Sequence, residues 1–464
     1  MTTENTHKTA EGILGPRLSS PCRVHFIGIL GASMRGLAVA CRERGHTVTG
    51  SDSARGAGEA YLAAFGITVN DPAPDSPGIL SAEIAVFSLA VPADHPELVT
   101  ARRRGILTVS RADLLAALLC DYPTRIGIAG THGKSTVSAM CAHLLARLGA
   151  PPAAFVGAPL AQGEDGYRSG CGDIAVFEAC EYRRSFLHFA PTLAVLTGAE
   201  WDHPDCYPTH ASMLDAFSAY LTLPSVGRIV ASADDADVVA LLQGVTVPTL
   251  TYGLSPMADI RADEVRTAGE GMRFALGGIG DGTQEVYIGV RGEHNVKNAL
   301  AAFAVAHTLG CPIDPMGLAD FSGIGRRLTR RGVHAGATYY EDYAHHPTEI
   351  RAAIAALREG DGRLIAVFQP HTYTRTAALF SELAAALAEA DCVIVTDVYA
   401  ARERNESGVS SRALAMACGP HALYLATPEA AALSVRTRAT AGDTVLVMGA
   451  GDLAARFFRP PLAF

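Results

Sequence analysis

A lysine and two hydroxyls end a glycine turn at Gly130-Thr131-His132-Gly133-Lys134-Ser135-Thr136, the strongest chemical signal in this 464-residue chain. The run RIGIAG (125–130) before it reads as a strand. After it, Val137, Met140, Cys141, Leu144, Leu145 and Leu148 share one face of a helix. Free amides and the macrodipole at a helix start favour anions, so the turn suits the phosphates of a nucleotide. Lys134 would lie on the β- and γ-phosphates, and Ser135 or Thr136 would hold Mg²⁺. The spacing is shortened, because Ile128 stands where G-x-x-x-x-G-K-[ST] has its first glycine. A plain helix cap would need no lysine there.

Magnesium takes hard oxygen ligands, which parallel sheets offer at the carboxyl ends of strands. The run DIAVFEA (173–179) leads to Glu178, Cys180 and Glu181. A second run, TLAVLTG (192–198), leads to Ala199-Glu200-Trp201-Asp202-His203. Glu178, nearest its strand, is the better candidate ligand, although a terminal carboxylate also serves as a solvated cap. Further polar clusters follow: His294, Asn295 and Asn298 opening a helix, then Arg326-Arg327, EDYAHHP (341–347), QPHTYTRT (369–376) and MGAGD (448–452). The histidine pair suits a metal or hydrogen bonds to a ligand. The fork of Arg375 matches a carboxylate.

An earlier glycine turn, FIGILGASMRGLA (26–38), follows a strand, and Asp52 ends the next one. G-x-G-x-x-G fails at Leu30, leaving Gly28, Gly31 and Gly36. A nucleotide-diphosphate site and a merely tight turn both remain open, and NAD binding is not indicated.

These residues need a frame of alternating strands and helices, and three such series run along the chain. Strand runs lacking strict alternation imply parallel sheets covered on both faces, hence an α/β protein. The expected division is a disordered tail at 1–21 and domains at 22–120, 121–325 and 326–464. A hairpin within 253–292 turns at Gly280-Asp281-Gly282. Lys+Arg 38 against Asp+Glu 47 gives a net charge of −9, which argues against nucleic acid as the main partner. Ten cysteines without a C-x-x-C pair read as reduced, buried thiols in the cytoplasm. No apolar run approaches membrane length, and the first twenty residues lack a signal peptide's apolar core.

Taken together, GTHGKS, EACEYRRSFL (178–187), E-x-D-H (200–203), GEHNVKNALAA (292–302), DYAHHPTEI (342–350), FQPHTYTRT (368–376) and GAGD (449–452) resemble the Mur ligases. These are the ATP-dependent amide-forming enzymes of peptidoglycan precursor synthesis. The resemblance covers about residues 22 to 455 and is closest to the branch that joins L-alanine to UDP-N-acetylmuramate. It implies three domains: a Rossmann-like UDP-binding domain, a central ATPase domain and a Rossmann-like C-terminal domain. Gly28, Gly31, Ser33, Asp52 and Ser88 would then bind the UDP-sugar. The phosphate loop from Gly130 to Thr136, with Asn295, Asn298, Arg327 and Asp342, would bind ATP. Ser135, Glu178 and His203 would hold magnesium, and His346 and Arg375 would meet the amino acid. Lys134, Glu178, His203 and Arg375 would carry catalysis. The implied cofactors are ATP and Mg²⁺, and the partners small molecules, with no nucleic acid or membrane, in a monomer or homodimer. Departures from the family pattern fall at Gly198-Ala199, Leu89 and Leu328. A ligase for a recycled murein tripeptide and a non-ligating sensor of the UDP-sugar are the competing readings.

Overall fold

A computed structural model describes residues 10–53, 56–88, 91–160, 165–280, 282–358 and 362–459. Its strands form three sheets. The first is wholly parallel, in the order β3-β2-β1-β4-β5, with β1 Arg23–Ile27, β2 Thr47–Ser51, β3 Thr68–Asn70, β4 Ile84–Phe87 and β5 Leu107–Ser110.

The second sheet is centred on β6 (Thr124–Ala129), which pairs in parallel with β9 (Ile174–Glu178) and β10 (Leu193–Leu196). Beyond β9 lie β7 (Ala153–Phe155) and the antiparallel β8 (Tyr167–Arg168). Beyond β10 lie β11 (Arg228–Ser232), β12 (Thr249–Gly253) and β13 (Ile260–Ala268), all parallel. From β13 the chain continues into the antiparallel hairpin β14 (Gly271–Gly277) and β15 (Gln284–Ile288). The hairpin is the expected one, although Asp281 of its turn lies outside the described residues.

The third sheet has the order β16-β17-β21-β18-β19-β20, with β16 Thr329–His334, β17 Ala337–Asp342, β18 Leu364–Phe368, β19 Cys392–Val395, β20 Ala422–Tyr424 and β21 Thr444–Met448. Only β16 is antiparallel. Central runs such as LIAVF are buried at every position, as a sheet covered on both faces requires.

Two compact units result. One comprises 1–199, 214–261 and 298–317; the other comprises 200–213, 262–297 and 318–464. The first sheet and the second sheet as far as Arg261 lie in one unit, while the hairpin β14–β15 lies in the other. The segment Glu200–Met213 belongs to the second unit, because Trp201 packs on that unit's apolar core.

The tail reading is corrected from residue 10 onward, while residues 1–9 lie outside the described residues. Ala10–Leu14 and Gly15–Leu18 are helical, and Leu14 is fully buried, with this turn lying on the helix Arg111–Leu119. The thiols also differ from expectation. No cysteine forms a disulfide, but only Cys41, Cys141 and Cys418 are buried, and Cys120 and Cys171 are exposed. β3, β7 and β8 escaped the sequence reading because two or three residues carry too little pattern.

Gly36, in the helix Ala32–Glu43, lets that helix approach β8 closely. A Cβ there would sit 2.9 Å from the Tyr167 Cβ. The Tyr167 hydroxyl donates to the Glu43 carboxylate of the same helix at 2.9 Å, which fixes the contact. Gly36→Val should therefore lower stability by about 1–3 kcal/mol through overpacking. An unchanged urea midpoint would show that the helix can shift freely.

Candidate active site

The phosphate loop joins β6 to the helix Lys134–Arg147. Gly130 and Gly133 both have positive φ, at 127° and 80°, and both are closely covered. A Cβ on Gly130 would collide with the Thr197 hydroxyl, and one on Gly133 would meet Asn298 Oδ1 at 2.5 Å. Thr197 Oγ1 donates to the carbonyls of Ala129 and His132, and the Thr131 amide donates to the Gly198 carbonyl at 3.1 Å. The end of β10 thus braces the turn through the Thr197 hydroxyl and the Gly198 carbonyl. The following amide, Ala199 N–H, is held by Asp235 Oδ2 at 2.8 Å.

Lys134 is mostly buried. Its amine donates to the carbonyls of Gly130 at 2.6 Å and Thr131 at 3.1 Å and forms an ion pair with Glu181 at 2.9 Å. Burial alone would lower its pKa. Glu181, with smaller contributions from Cys180 and Glu178, reverses this and holds it above the usual lysine value. The ammonium is therefore charged and aimed at the head of the helix. Glu181 was seen in the sequence only as one of two strand-end carboxylates, and its role as counter-charge emerges here.

Glu178, the last residue of β9, accepts from Ser135 Oγ and from the Gly157 amide, both at 2.8 Å. A Cβ on Gly157 would collide with this carboxylate at 2.7 Å, so the glycine leaves it room. A serine hydroxyl beside a carboxylate is the hard-oxygen set that magnesium prefers, and these residues fit that ion.

The first glycine turn is shaped by main-chain bonds. The amides of Gly28 and Ile29 donate to the Ser51 carbonyl at 2.8 and 3.1 Å, and Gly28 has φ 78°. Asp52 Oδ2 accepts the Leu30 amide at 2.9 Å, so this carboxylate holds the turn. Gly31 caps the helix that begins at Ala32, and Ser33 lies in its first turn. Ser88 follows β4, and its carbonyl accepts the Val91 amide at 2.9 Å. Leu89 lies outside the described residues.

In the second unit, Arg375 is buried and its fork is already occupied. Nε and Nη2 donate to the two oxygens of Asp202 at 2.8 and 3.2 Å. An internal carboxylate thus takes the bidentate face of the guanidinium that the sequence reading gave to an amino acid's carboxylate. Burial would raise the Asp202 pKa, but His203 and Arg375 hold it well below the usual carboxylate range. Nη2 also lies 3.2 Å from His203 Nδ1, and Nη1 donates to His371 Nδ1 at 3.2 Å. His203 sits at φ 55°, with its amide on Asp202 Oδ1 at 2.6 Å. Asp202 therefore fixes both Arg375 and His203. His346 caps the helix Pro347–Leu357 by accepting the Thr348 amide, and Glu200 accepts from the Thr348 hydroxyl at 2.7 Å.

Arg327 pairs with Glu349 at 3.3 Å and lies over the Tyr343 ring. Asp342, expected on the nucleotide, instead accepts the amides of Leu328 and Ala344, each at 2.7 Å. It folds the turn in which Arg326 and Leu328 take φ 62° and 43°. Burial, opposed by Arg327, pushes its carboxyl up to about 6. Asn295 Nδ2 donates to the Arg291 carbonyl at 2.7 Å.

Two predictions follow from these positions. Gly133→Ala combines a left-handed φ with a collision on Asn298, so ATP-dependent turnover should fall at least about a hundredfold with the fold retained. Asn298→Ala in the same chain should relieve only the collision, and full recovery would show that φ does not matter. The second concerns acid. Burial above all lowers His371 and His294 to about 4 and His345 to about 3, with Arg375 and Arg327 adding to the effect. Their folded pKa values lie below the ordinary histidine value of 6.5, so the unfolded chain binds more protons and stability falls as pH drops from 6.5 towards 4. Each proton contributes about 1.4 kcal/mol per pH unit, and Asp342 opposes one of them because its carboxyl is raised. Urea midpoints measured at pH 7.5, 6 and 5 should fall, and less steeply in His371→Gln.

Family models match residues 23–123 (Mur ligase family, catalytic domain), 128–306 (Mur ligase middle domain) and 326–451 (Mur ligase, glutamate ligase domain). The chain is 38% identical to a UDP-N-acetylmuramate–L-alanine ligase of Anaeromyxobacter sp., covering 94% of this chain and 96% of the relative. It is 40% identical to the ligase of the same name from Rubrobacter xylanophilus, over 93% and 97%. Among solved structures, UDP-N-acetylmuramate-alanine ligase from Thermotoga maritima superposes with a TM-score of 0.79 at 26% identity, covering 94% of this chain and 97% of that one. With the shortened loop, the braced strand ends and matches along nearly its whole length, this chain belongs to the Mur ligase family and has its three-domain architecture.

Proposed function

We propose that this protein is an ATP-dependent ligase that joins L-alanine to the lactyl carboxylate of UDP-N-acetylmuramate in peptidoglycan precursor synthesis. The observation that carries this reading is the pairing of Lys134 with Glu181 beside that of Ser135 with Glu178 on one phosphate loop. Full-length relatives of that name support it.

A carboxylate is a poor acylating agent, so it must first gain a leaving group. One of its oxygens bonds to the γ-phosphorus of ATP while the bond from that phosphorus to the β-bridging oxygen breaks, releasing ADP. The amine of L-alanine then bonds to the acyl carbon, the carbon–oxygen bond to phosphate breaks, and phosphate and a proton leave. Lys134 neutralises charge on the transferred phosphoryl group, an electrostatic contribution of several kcal/mol in such sites. Ser135 and Glu178 would hold Mg²⁺, which supplies further neutralisation of the phosphate oxygens when bound. The family resemblance assigns a second ion to His203, the nucleotide to Asn295, Asn298 and Arg327, and the amino acid to His346. Arg375 becomes a positioning residue that holds Asp202 and His203. The turn carrying Gly28, Gly31 and Ser33 would take the UDP diphosphate, with Asp52 shaping it and Ser88 following β4, the strand that pairs with β1. Boundaries near 120 and 325 separate the three domains, and the nucleotide substrates put the reaction in the cytoplasm.

Phosphate release from ATP, assayed with UDP-N-acetylmuramate plus either L-alanine or the murein tripeptide, tests the reading. Alanine should support release and tripeptide should not. Release with tripeptide alone would move the chain to the recycling branch, and none with either would leave a sensor. In Lys134→Ala, ligation should be lost while UDP-sugar affinity stays within about twofold. Turnover within about tenfold of the parent would remove Lys134 from the reaction.

A further inference from the structure

The first unit holds a cavity of about 200 Å³. Its lining includes Ser33 and Gly36, of the helix that follows the first glycine turn, together with Gly157, Glu178 and Cys180. Arg111 is the one cation among the residues lining it. Arg111 opens the helix Arg111–Leu119, whose start is rigid on two counts. Ser110 and Asp113 form a reciprocal capping box, and Asp113 Oδ1 meets His188 Nδ1 at 2.8 Å. His188 ends the turn Tyr182–His188, in which Arg183 and Arg184 hold left-handed φ values of 52° and 56°. The strand end bearing Glu178 and the helix bearing Arg111 are thereby tied together. Among the described residues, no ion pair or side-chain hydrogen bond engages the Arg111 guanidinium, and its charge is felt at Cys180.

We propose that Arg111 is the group that recognises the sugar's carboxylate, holding the acidic UDP-sugar in this cavity and rejecting its neutral counterpart. The inference rests on the reading of the first glycine turn as a UDP site. A diphosphate seated at the helix start near Ser33 directs the sugar into the cavity, with its acid group towards Glu178. A carboxylate entering there loses hydration and approaches both Glu178 and the anionic nucleotide, so it needs a cation of its own. A guanidinium with no internal partner supplies two parallel donors. Leu115, on the same helix and also lining the cavity, leaves the wall beside it apolar.

Calorimetry with UDP, UDP-N-acetylglucosamine and UDP-N-acetylmuramate separates the possibilities, since only the last carries a carboxylate. The parent protein should bind UDP-N-acetylmuramate much more tightly than UDP-N-acetylglucosamine. Arg111→Gln should reduce that preference at least about tenfold while leaving affinity for UDP and for ATP within about twofold, and Arg111→Lys should recover part of it. An unchanged preference overturns the proposal. So does an equal loss for all three ligands, which would make Arg111 a diphosphate ligand. A parent protein that binds none of the three would remove the UDP reading itself, and the parent alone reveals this. An unchanged melting temperature in Arg111→Gln is expected, whereas a fall matching the affinity loss would assign the residue a structural role.

Discussion

A lysine ammonium taken out of water at the head of a helix must have a counter-charge, and the organisation of the first unit follows from that need. Glu181 supplies it, and breaking such a buried pair by removing one partner typically costs about 3–5 kcal/mol. To place Glu181 there, β9 must lie directly beside β6, and the order observed puts it there. The same strand end then delivers Glu178 to Ser135, three residues before Glu181 and one after Lys134 in their respective segments. One parallel pair of strands thus fixes a cation, its counter-charge and a hard-oxygen pair together.

The second unit solves the same problem with different residues. Arg375 and Asp202 are both buried, and each is bidentate to the other. The left-handed φ of His203 is a cost of roughly 1 kcal/mol or more that persists because Asp202 binds the His203 amide and the Arg375 fork at once. The histidines nearby are kept neutral by burial, so they act as hydrogen-bonding groups at neutral pH rather than as additional cations.

Much of this was legible in the sequence, for definite reasons. Lys134, Ser135 and Glu178 stand out because loop and strand-end chemistry is written in neighbouring residues. The parallel sheets stand out because short apolar runs such as IAVF and LIAVF lack alternation. Partners were not legible. Glu181 lies 47 positions from Lys134, and Asp202 lies 173 from Arg375, so only the fold could reveal that the fork of Arg375 was occupied. The amide partners of Asp52 and Asp342 were not legible for a related reason: carboxylates at strand ends suit a ligand or a backbone amide equally well, and both accept amides here. The assignment of Glu200–Met213 to the second unit depended on where Trp201 packs, which no local pattern encodes.

Pairing also sets the limits of what each cation can do for a substrate. An internal carboxylate keeps Lys134 charged and oriented in the empty protein, but an arriving phosphate must then share the ammonium with Glu181. The net gain in affinity is small, because one anion partly replaces another. In the proposed reaction the gain would come as charge develops on the transferred phosphoryl group, where a fixed, already charged donor needs no reorganisation. Lys134 would then favour the transition state over simple binding. Arg375 is taken further in the same direction, since both donors of its fork are committed and its influence passes through Asp202 to His203. Cations held in this way cannot select a substrate by its charge. Selection requires a cation with no partner inside the protein, standing where the reacting acid group must come to rest.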